Sequence, residues 1–408
     1  MLVEILEIIV IVIFVVVSGW TLYNATLFFT GLFSRLSGKK WRSQSHDETF
    51  NEPRVSIIIP VKNGEKVLPR LMNSLLKLDY PLEKMEIILI EDGSTDKSYE
   101  LCLNYAEKYP SLIKVLHRDT SRGKSDALAY ATKYASGDVL AIFDVDSVIE
   151  PGTLKRAVKY LKGSDVAAIQ GRTISINANY NFLTGLVFLE EACYSIMLEG
   201  RNILGLFVPL TGNCMFIRRE YLERVGGWNS ESLVEDVELS VRFLSKGFRV
   251  LYNYEIEIYQ EAPSSLKDLY KQRKRWYRGF IETFISSAKL LRKIDLKTID
   301  ALILLLSPIF LVLTQLFCIS LPIIILTGYN SLLFQVIFQF LAILFVISIL
   351  ITAIILLIVT PWGKRSILMG ILTYFYWWLL GLITLKSIGD VLLKTQREWI
   401  TTTKRGVI

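Results

Sequence analysis

The chain has 408 residues, 46 basic against 39 acidic side chains and a formal net charge of +7, and 52% of its residues are hydrophobic, with a positive mean hydropathy. That balance excludes an ordinary soluble enzyme of this size unless part of the chain sits in lipid. Much of the basic excess flanks apolar segments, so anionic headgroups or an anionic substrate explain it more simply than nucleic acid does.

Residues 8–33 are almost free of charge and long enough to cross roughly 30 Å of hydrocarbon as a helix. A cleavable signal peptide would carry a basic start and a small-residue cleavage site, whereas here Glu4 and Glu7 lead and Arg35, Lys39, Lys40 and Arg42 follow. The charge bias puts the N-terminus outside and the next domain in the cytoplasm of a multi-pass cell-membrane protein. Cys102, Cys193, Cys214 and Cys318 lack paired spacing, which suits a reducing compartment. His46 and His117 cannot form a metal cluster alone and read as surface or structural residues.

From residue 51 to about 293, strand and helix patterns alternate. Strand-like runs cover 55–59, 86–90, 113–116 and 139–143, and helical patterns cover 67–78, 98–108 and 124–134. Continuous β-branched runs between helices imply an α/β fold with a mostly parallel sheet covered on both faces, and such sheets bind ligands at the carboxyl ends of their strands. Asp92 and Asp144 each follow a strand-like run and belong at that edge. For Glu91-Asp92-Gly93-Ser94-Thr95-Asp96, a turn followed by a helix cap is an equally good reading. Asp144-Val145-Asp146 is sharper. Two carboxylates one residue apart after a buried strand suit Mg²⁺ or Mn²⁺, with substrate phosphates completing the shell, against the alternative of a solvated loop.

Further along, Thr211-Gly212-Asn213-Cys214 reads as a small-residue turn that admits an acceptor, or as a simple strand entry. Ser232-Leu233-Val234-Glu235 matches a capping box, which gives Glu235 a structural role. Asp236 is free of that job. It suits a general base with a raised pKa, or a first-turn acid favoured by the helix dipole. Gln272, Arg275 and Trp276 share one helix face, where arginine can fork onto phosphate and tryptophan can lie under a sugar. Lys271, Lys274 and Arg278 lie around another side, toward lipid headgroups, and a basic amphipathic helix on the membrane accounts for the same residues.

Apolar stretches at 302–326, 332–359 and 367–385 follow, broken by Gly328-Tyr329-Asn330-Ser331 and by Pro361-Trp362-Gly363-Lys364-Arg365. Trp362, Tyr374, Tyr376, Trp377 and Trp378 suit interfacial belts. Three full spans would leave the basic tail (Lys394, Arg397, Lys404, Arg405) outside, against the charge rule. Either one stretch is re-entrant or interfacial, with 367–385, rich in glycine and aromatics, as the candidate, or the tail departs from that rule; the first is expected.

These motifs, namely residues 55–64, the EDGSTD stretch, Arg122-Gly123-Lys124, the FDVDS stretch, Thr211–Cys214, Val234-Glu235-Asp236 and QRKRW, together resemble the membrane-embedded family 2 glycosyltransferases of GT-A fold. That branch includes cellulose, hyaluronan and chitin-type synthases and ceramide glucosyltransferases. The resemblance covers about residues 54–279. It implies that Pro60, Val61, Lys62, Asp92, Lys124, Asp144 and Arg275 bind a UDP-sugar. It also implies that Asp146, with Asp144, holds the metal, that Asp236 is the base, and that Gly212, Asn213, Gln272 and Trp276 meet the acceptor. The tail segment 399–405 is similar to substrate-covering segments of the processive branch, with a disordered basic tail as the alternative. The expected organisation is a transmembrane helix and basic segment at 1–50, a catalytic domain at 51–264, interfacial helices at 265–300, transmembrane helices at 301–393 and a tail at 394–408. The expected reaction is inverting, metal-dependent transfer to a growing polysaccharide, possibly coupled to export. A membrane lipid is the alternative acceptor, and an inactive scaffold is disfavoured by the intact acidic set.

Overall fold

The computed structural model describes residues 2–37, 52–161, 163–287, 295–326, 332–359, 365–397 and 403–406. Lys39, Lys40, Arg42, His46, both predicted breaks between the C-terminal apolar stretches up to Lys364, and tail residues 399–402 lie outside them.

The first four strands are those the β-branched runs predict: β1 (Val55–Val61), β2 (Met85–Asp92), β3 (Ile113–Arg118) and β4 (Val139–Ile142). They are parallel in the order β3-β2-β1-β4. The sheet continues through β7 (Met215–Arg218), antiparallel to β4, and then β6 (Val166–Ser175), β8 (Arg249–Gln260) and the short β5 (Val148–Ile149). The sheet is therefore mixed beyond its parallel half.

Both faces are covered, and the period-2 alternation of β1 shows how. Val55, Ile57, Ile59 and Val61 enter one core with α2 (Leu68–Leu75), α3 (Ser98–Lys108) and α5 (Thr153–Lys159). Ile58 enters the other, with α4 (Lys124–Thr132), α7 (Arg219–Arg224) and α8 (Glu235–Ser245). His117 stacks on Tyr99, with ring centroids 4.1 Å apart, and its Nδ1 lies 2.6 Å from Glu91 Oε2, a structural arrangement.

A second body of helices joins this domain through α6 (Phe182–Ile203). The N-terminal α1 (Leu2–Leu36) crosses α6 at glycines: a Cβ on Gly31 would lie 1.9 Å from Ile196 O, and one on Gly200 2.0 Å from Leu27 O. Close backbone approach of this kind needs small residues. The contact is pinned by charge. Asp300, on α10 (Leu296–Leu305), accepts from Arg201 Nη1 at 2.5 Å, from Phe207 N at 2.9 Å and from the Tyr23 hydroxyl. A buried aspartate held by three donors keeps α1, α6 and α10 in register.

Among the described residues, two helical stretches, Ile11–Leu36 and Leu368–Leu392, are long and apolar enough to cross a membrane. Among the described C-terminal helices a sharp bend falls ahead of 367–385, not within it. α10 and α11 (Ser307–Leu326) bend by 61° at Leu306, where Pro308 cannot donate the amide bond that would carry one helix through the join. The last helix, α13 (Arg365–Leu392), runs unbroken after α12 (Leu332–Val359). Its Gly381 serves packing, making room for Gln315, which donates from Nε2 to Trp377 O at 2.8 Å. Tyr376, expected at an interface, is buried and donates to Glu190.

Candidate active site

The carboxyl ends of β1, β2 and β4 meet at one edge, as the parallel order requires. Val61 is buried at the end of β1, between Pro60 and the half-buried Lys62. Asp92 closes β2 opposite Arg118 of β3. Its Oδ1 accepts from Arg118 Nε at 2.8 Å and its Oδ2 from Ser121 Oγ at 2.7 Å. Arg118 also reaches Asp126.

The loop after β4 carries the paired carboxylates and is built on Asn213. The Asn213 Oδ1 accepts from Asp144 N at 3.1 Å and from Cys214 N at 2.9 Å, and its Nδ2 donates to Gln260 Oε1 at 2.8 Å. Asn213 is buried, so its amide shapes the loop from beneath. Asp146 is fully buried. Its Oδ2 accepts from Glu261 N at 3.1 Å and from Lys404 Nζ at 2.6 Å, and its Oδ1 is buried without a partner. Arg70 supports the same corner, donating from Nη2 to Asp146 O at 3.0 Å and to Glu261 Oε1 at 3.1 Å.

Lys124 joins this loop to the opposite wall. Its ammonium donates to Asp144 Oδ1 and to Gly212 O, each at 2.5 Å, and lies 3.9 Å from Glu235 Oε1. Burial opposes its charge, yet the carboxylates of Asp144, Glu235 and Asp236 outweigh that and raise its pKa. Gly212 has φ +79°, and a Cβ there would stand 2.9 Å from Asp236 Oδ2. One glycine and one ammonium therefore separate Asp236 from Asp144.

Asp236 opens α8 and is pushed up to about 7, first by burial and then by the neighbouring Glu235, with Val237 N, Lys124 and Arg275 pulling the other way. The predicted capping box is absent. The N-cap is Val234, Ser232 Oγ accepts from Val234 N at 3.2 Å, and Glu235 is buried where Ser125 Oγ donates to its Oε2 at 3.3 Å. A box needs Ser232 at the cap, and the helix begins two residues too late for that.

Gln272, Arg275 and Trp276 lie on the single helix α9 (Leu266–Ser287), as their spacing predicts. Arg275 donates from Nη1 to Leu233 O at 2.7 Å, beside the Asp236 loop. Trp276 is partly buried and packs against the apolar cluster that holds Phe207, Val234 and Val237. Gln272 has a buried Oε1 without a partner. The expectation that Lys274 and Arg278 face headgroups is overturned. Lys274 Nζ lies 2.8 Å from Asp390 Oδ2 on α13, and Arg278 Nη2 donates to Thr395 O at 2.6 Å. Both bind the end of α13, because α9 lies against that helix.

The glycosyltransferase-like family 2 profile matches residues 53–279, a stretch that holds every site residue described above except Lys404. The chain belongs to the family 2-like glycosyltransferases. It is 31% identical over 243 residues to beta-monoglucosyldiacylglycerol synthase of Nostoc sp., a match covering 59% of this chain and 52% of that protein. It is 28% identical over 279 residues to glucomannan 4-beta-mannosyltransferase 7 of Arabidopsis thaliana, covering 65% and 49%. The chain spans about half the length of the curated relatives it matches. The mannosyltransferase of Pyrobaculum calidifontis in complex with GDP-Man and Mn²⁺ superposes over 94% of this chain and 100% of that one, with TM-score 0.65 at 19% identity, which shows the shared GT-A fold.

Several site residues of this glycosyltransferase escaped the sequence reading. Arg118 emerges only from the β2–β3 register, and Arg70 and Glu261 only from the approach of α2 to the end of β8. Arg273, inside QRKRW, is buried, pairs with Glu190 Oε2 at 2.6 Å and lies 4.2 Å over the Trp276 ring. Its place between Gln272 and Arg275 was the available signal. Gly212→Ala adds a Cβ against Asp236 in a backbone conformation that disfavours it, and is expected to lower turnover about 100-fold with the fold intact. Initial rates and circular dichroism of the purified variant check this.

Proposed function

We propose that the chain is a membrane-bound, inverting glycosyltransferase that moves a sugar from a UDP-sugar to a hydroxyl of a lipid-anchored acceptor at the cytoplasmic bilayer surface. The observation that carries the reading is the Asp236 carboxyl, held near neutral pKa and set one ammonium away from Asp144. A group that titrates near working pH can take a proton from an attacking hydroxyl while the acidic loop holds the donor.

Pro60, Val61, Lys62 and Asp92 bind the nucleotide in this reading. The buried, unpartnered Asp146 Oδ1 beside Asp144 fits a hard divalent cation. Among the described residues no group of three Asp, Glu, His or Cys side chains is placed to hold a metal ion by itself, so donor phosphates would complete the shell. Asp144 and Asp146 would hold Mg²⁺ or Mn²⁺, which when bound supplies Lewis-acid neutralisation of the departing diphosphate. Arg275 adds a fixed positive charge near Asp236 and the same diphosphate. Lys124 keeps the base loop and donor loop at constant separation. Gln272 and Trp276 on α9 form the acceptor side.

Three features support the membrane placement. Arg35 closes α1, and Lys39, Lys40 and Arg42 follow it, which favours a cytoplasmic catalytic domain. Tail residues 403–406 touch that domain, so an even number of crossings separates it from the tail. A re-entrant α10–α11 pair with α12 and α13 crossing meets this requirement. The same boundaries, at 50, 264, 300 and 393, divide anchor, catalytic domain, interfacial helix, spans and tail.

The likeness to beta-monoglucosyldiacylglycerol synthases favours a lipid acceptor. Polysaccharide extension keeps the same chemistry and is favoured by the QxxRW pattern and the likeness to glucomannan synthases.

Asp236→Asn is expected to lower kcat by about 10²–10⁴-fold while leaving nucleotide affinity within a few-fold. In the unaltered enzyme kcat/KM should rise as pH increases through about 7, because the raised carboxyl must lose its proton to act as base. Retained turnover in the variant, or a flat profile between pH 5 and 9, contradicts the assignment. With radiolabelled UDP-sugars and Mn²⁺, label is expected in a small organic-soluble product. Label in a large glycosidase-sensitive polymer would replace the lipid reading with the polymer one.

A further inference from the structure

The tail residues 403–406 run through the site, and each of the four meets a different part of it. Thr403 Oγ1 donates to Asp268 Oδ1 at 3.2 Å, at the start of α9. Lys404 Nζ donates to Asp146 Oδ2 at 2.6 Å. Arg405 N donates to Glu261 Oε2 at 3.1 Å. Gly406, with φ +65°, lies so close to Lys66 that a Cβ would stand 3.0 Å from its carbonyl oxygen. Asp268, Asp146 and Glu261 are all buried, so this strap touches groups that surface tails do not reach.

The ammonium sits where a cation is required. Asp146 is fully buried, and its charge must be balanced by a cation or by donors. Around it, Arg70 is committed to Glu261 and to the Asp146 carbonyl oxygen, and Lys124 to Asp144 and Gly212. Lys404 supplies the positive charge on the Asp146 carboxylate itself.

We propose that Lys404 is a built-in counter-cation that competes with the divalent ion for Asp146, so the tail latches the unloaded donor site and metal loading releases it. The inference rests on the reading of Asp146 as a cation ligand given above. Two cations on one buried carboxylate repel each other, and the divalent ion brings twice the charge of the ammonium to that carboxylate. The latch protects the site in two ways: it satisfies Asp146 when no donor is present, and it opposes metal binding without substrate. Linkage makes the effect reciprocal, since whatever factor Lys404 imposes on metal affinity the metal must impose on tail docking.

The test uses the full chain in detergent, with Mn²⁺ alone as the probe and free Mn²⁺ read by electron paramagnetic resonance. Lys404→Ala is expected to tighten Mn²⁺ binding about 5–150-fold, the range of ordinary coupling between sites, while Lys404→Arg stays near the unaltered affinity. Asp146→Asn should abolish specific Mn²⁺ binding with either tail. In the unaltered chain, Mn²⁺ should speed tryptic cleavage after Lys404 and Arg405 by a factor matching the affinity change. If Asp146→Asn abolishes binding but Lys404→Ala binds no tighter than the unaltered chain, the competition is overturned and the metal site stands. Cleavage unaffected by Mn²⁺ overturns it as well. If Asp146→Asn binds Mn²⁺ normally, the metal assignment fails and the competition falls with it.

Discussion

The arrangement depends on one electrostatic constraint: Asp144, Asp146, Glu235, Asp236 and Glu261 converge at one edge of the sheet, and their mutual repulsion has to be countered. The chain meets this with cations that also serve as struts. Lys124 bridges Asp144 and Gly212 beside Glu235, Arg70 bridges Glu261 and the Asp146 backbone, and Lys404 covers the Asp146 carboxylate. Because Lys124 leaves Asp236 only partly compensated, burial and Glu235 raise that carboxyl, which is the property a base needs. The neutralisation that lets the site fold thus also separates its carboxylates into distinct chemical states.

Much of this was legible from residue types and spacing, for physical reasons. The parallel half of the sheet was readable because doubly buried strands need unbroken apolar runs, and the position of Asp92 and Asp144 then follows from topology. Gln272, Arg275 and Trp276 could be placed on one face because helical spacing alone determines that. The misreadings concern partners brought together by tertiary contact. Ser232 and Glu235 have the spacing of a capping box, yet the helix starts at Glu235 and sends that side chain inward to Ser125. Lys274 and Arg278 look like a solvated basic face until α13 supplies Asp390 and the Thr395 carbonyl. Glycine in 367–385 suggested a break, whereas it admits Gln315 of a neighbouring helix. For Lys404, more than 250 positions from Asp146 along the chain, the likeness of 399–405 to substrate-covering segments pointed to the site, but nothing local pointed to Asp146 as its partner.

The helical body and the catalytic domain are joined by ionic contacts more specific than lipid packing alone. Asp300 gathers Arg201 and Tyr23, Arg273 gathers Glu190 and Tyr376, and Arg35 of α1 donates to Ser195 of α6 at 2.7 Å while lying over Tyr254. Arg273 matters most among these, since it ties α13 to the helix that also carries Gln272, Arg275 and Trp276. Movement of α13 at that junction would be felt directly at the helix face that carries Gln272, Arg275 and Trp276.

The proposed single carboxylate base facing the Asp144 loop would commit the reaction to direct displacement, so product stereochemistry is the most direct test of the account. The measurement is the anomeric configuration of the transferred sugar, read by nuclear magnetic resonance from a product made with an α-linked nucleotide sugar. The account predicts a β-glycoside from the first turnover. An α-glycoside would contradict it, because retention requires a route that Asp236, acting as a base on the acceptor hydroxyl, does not provide.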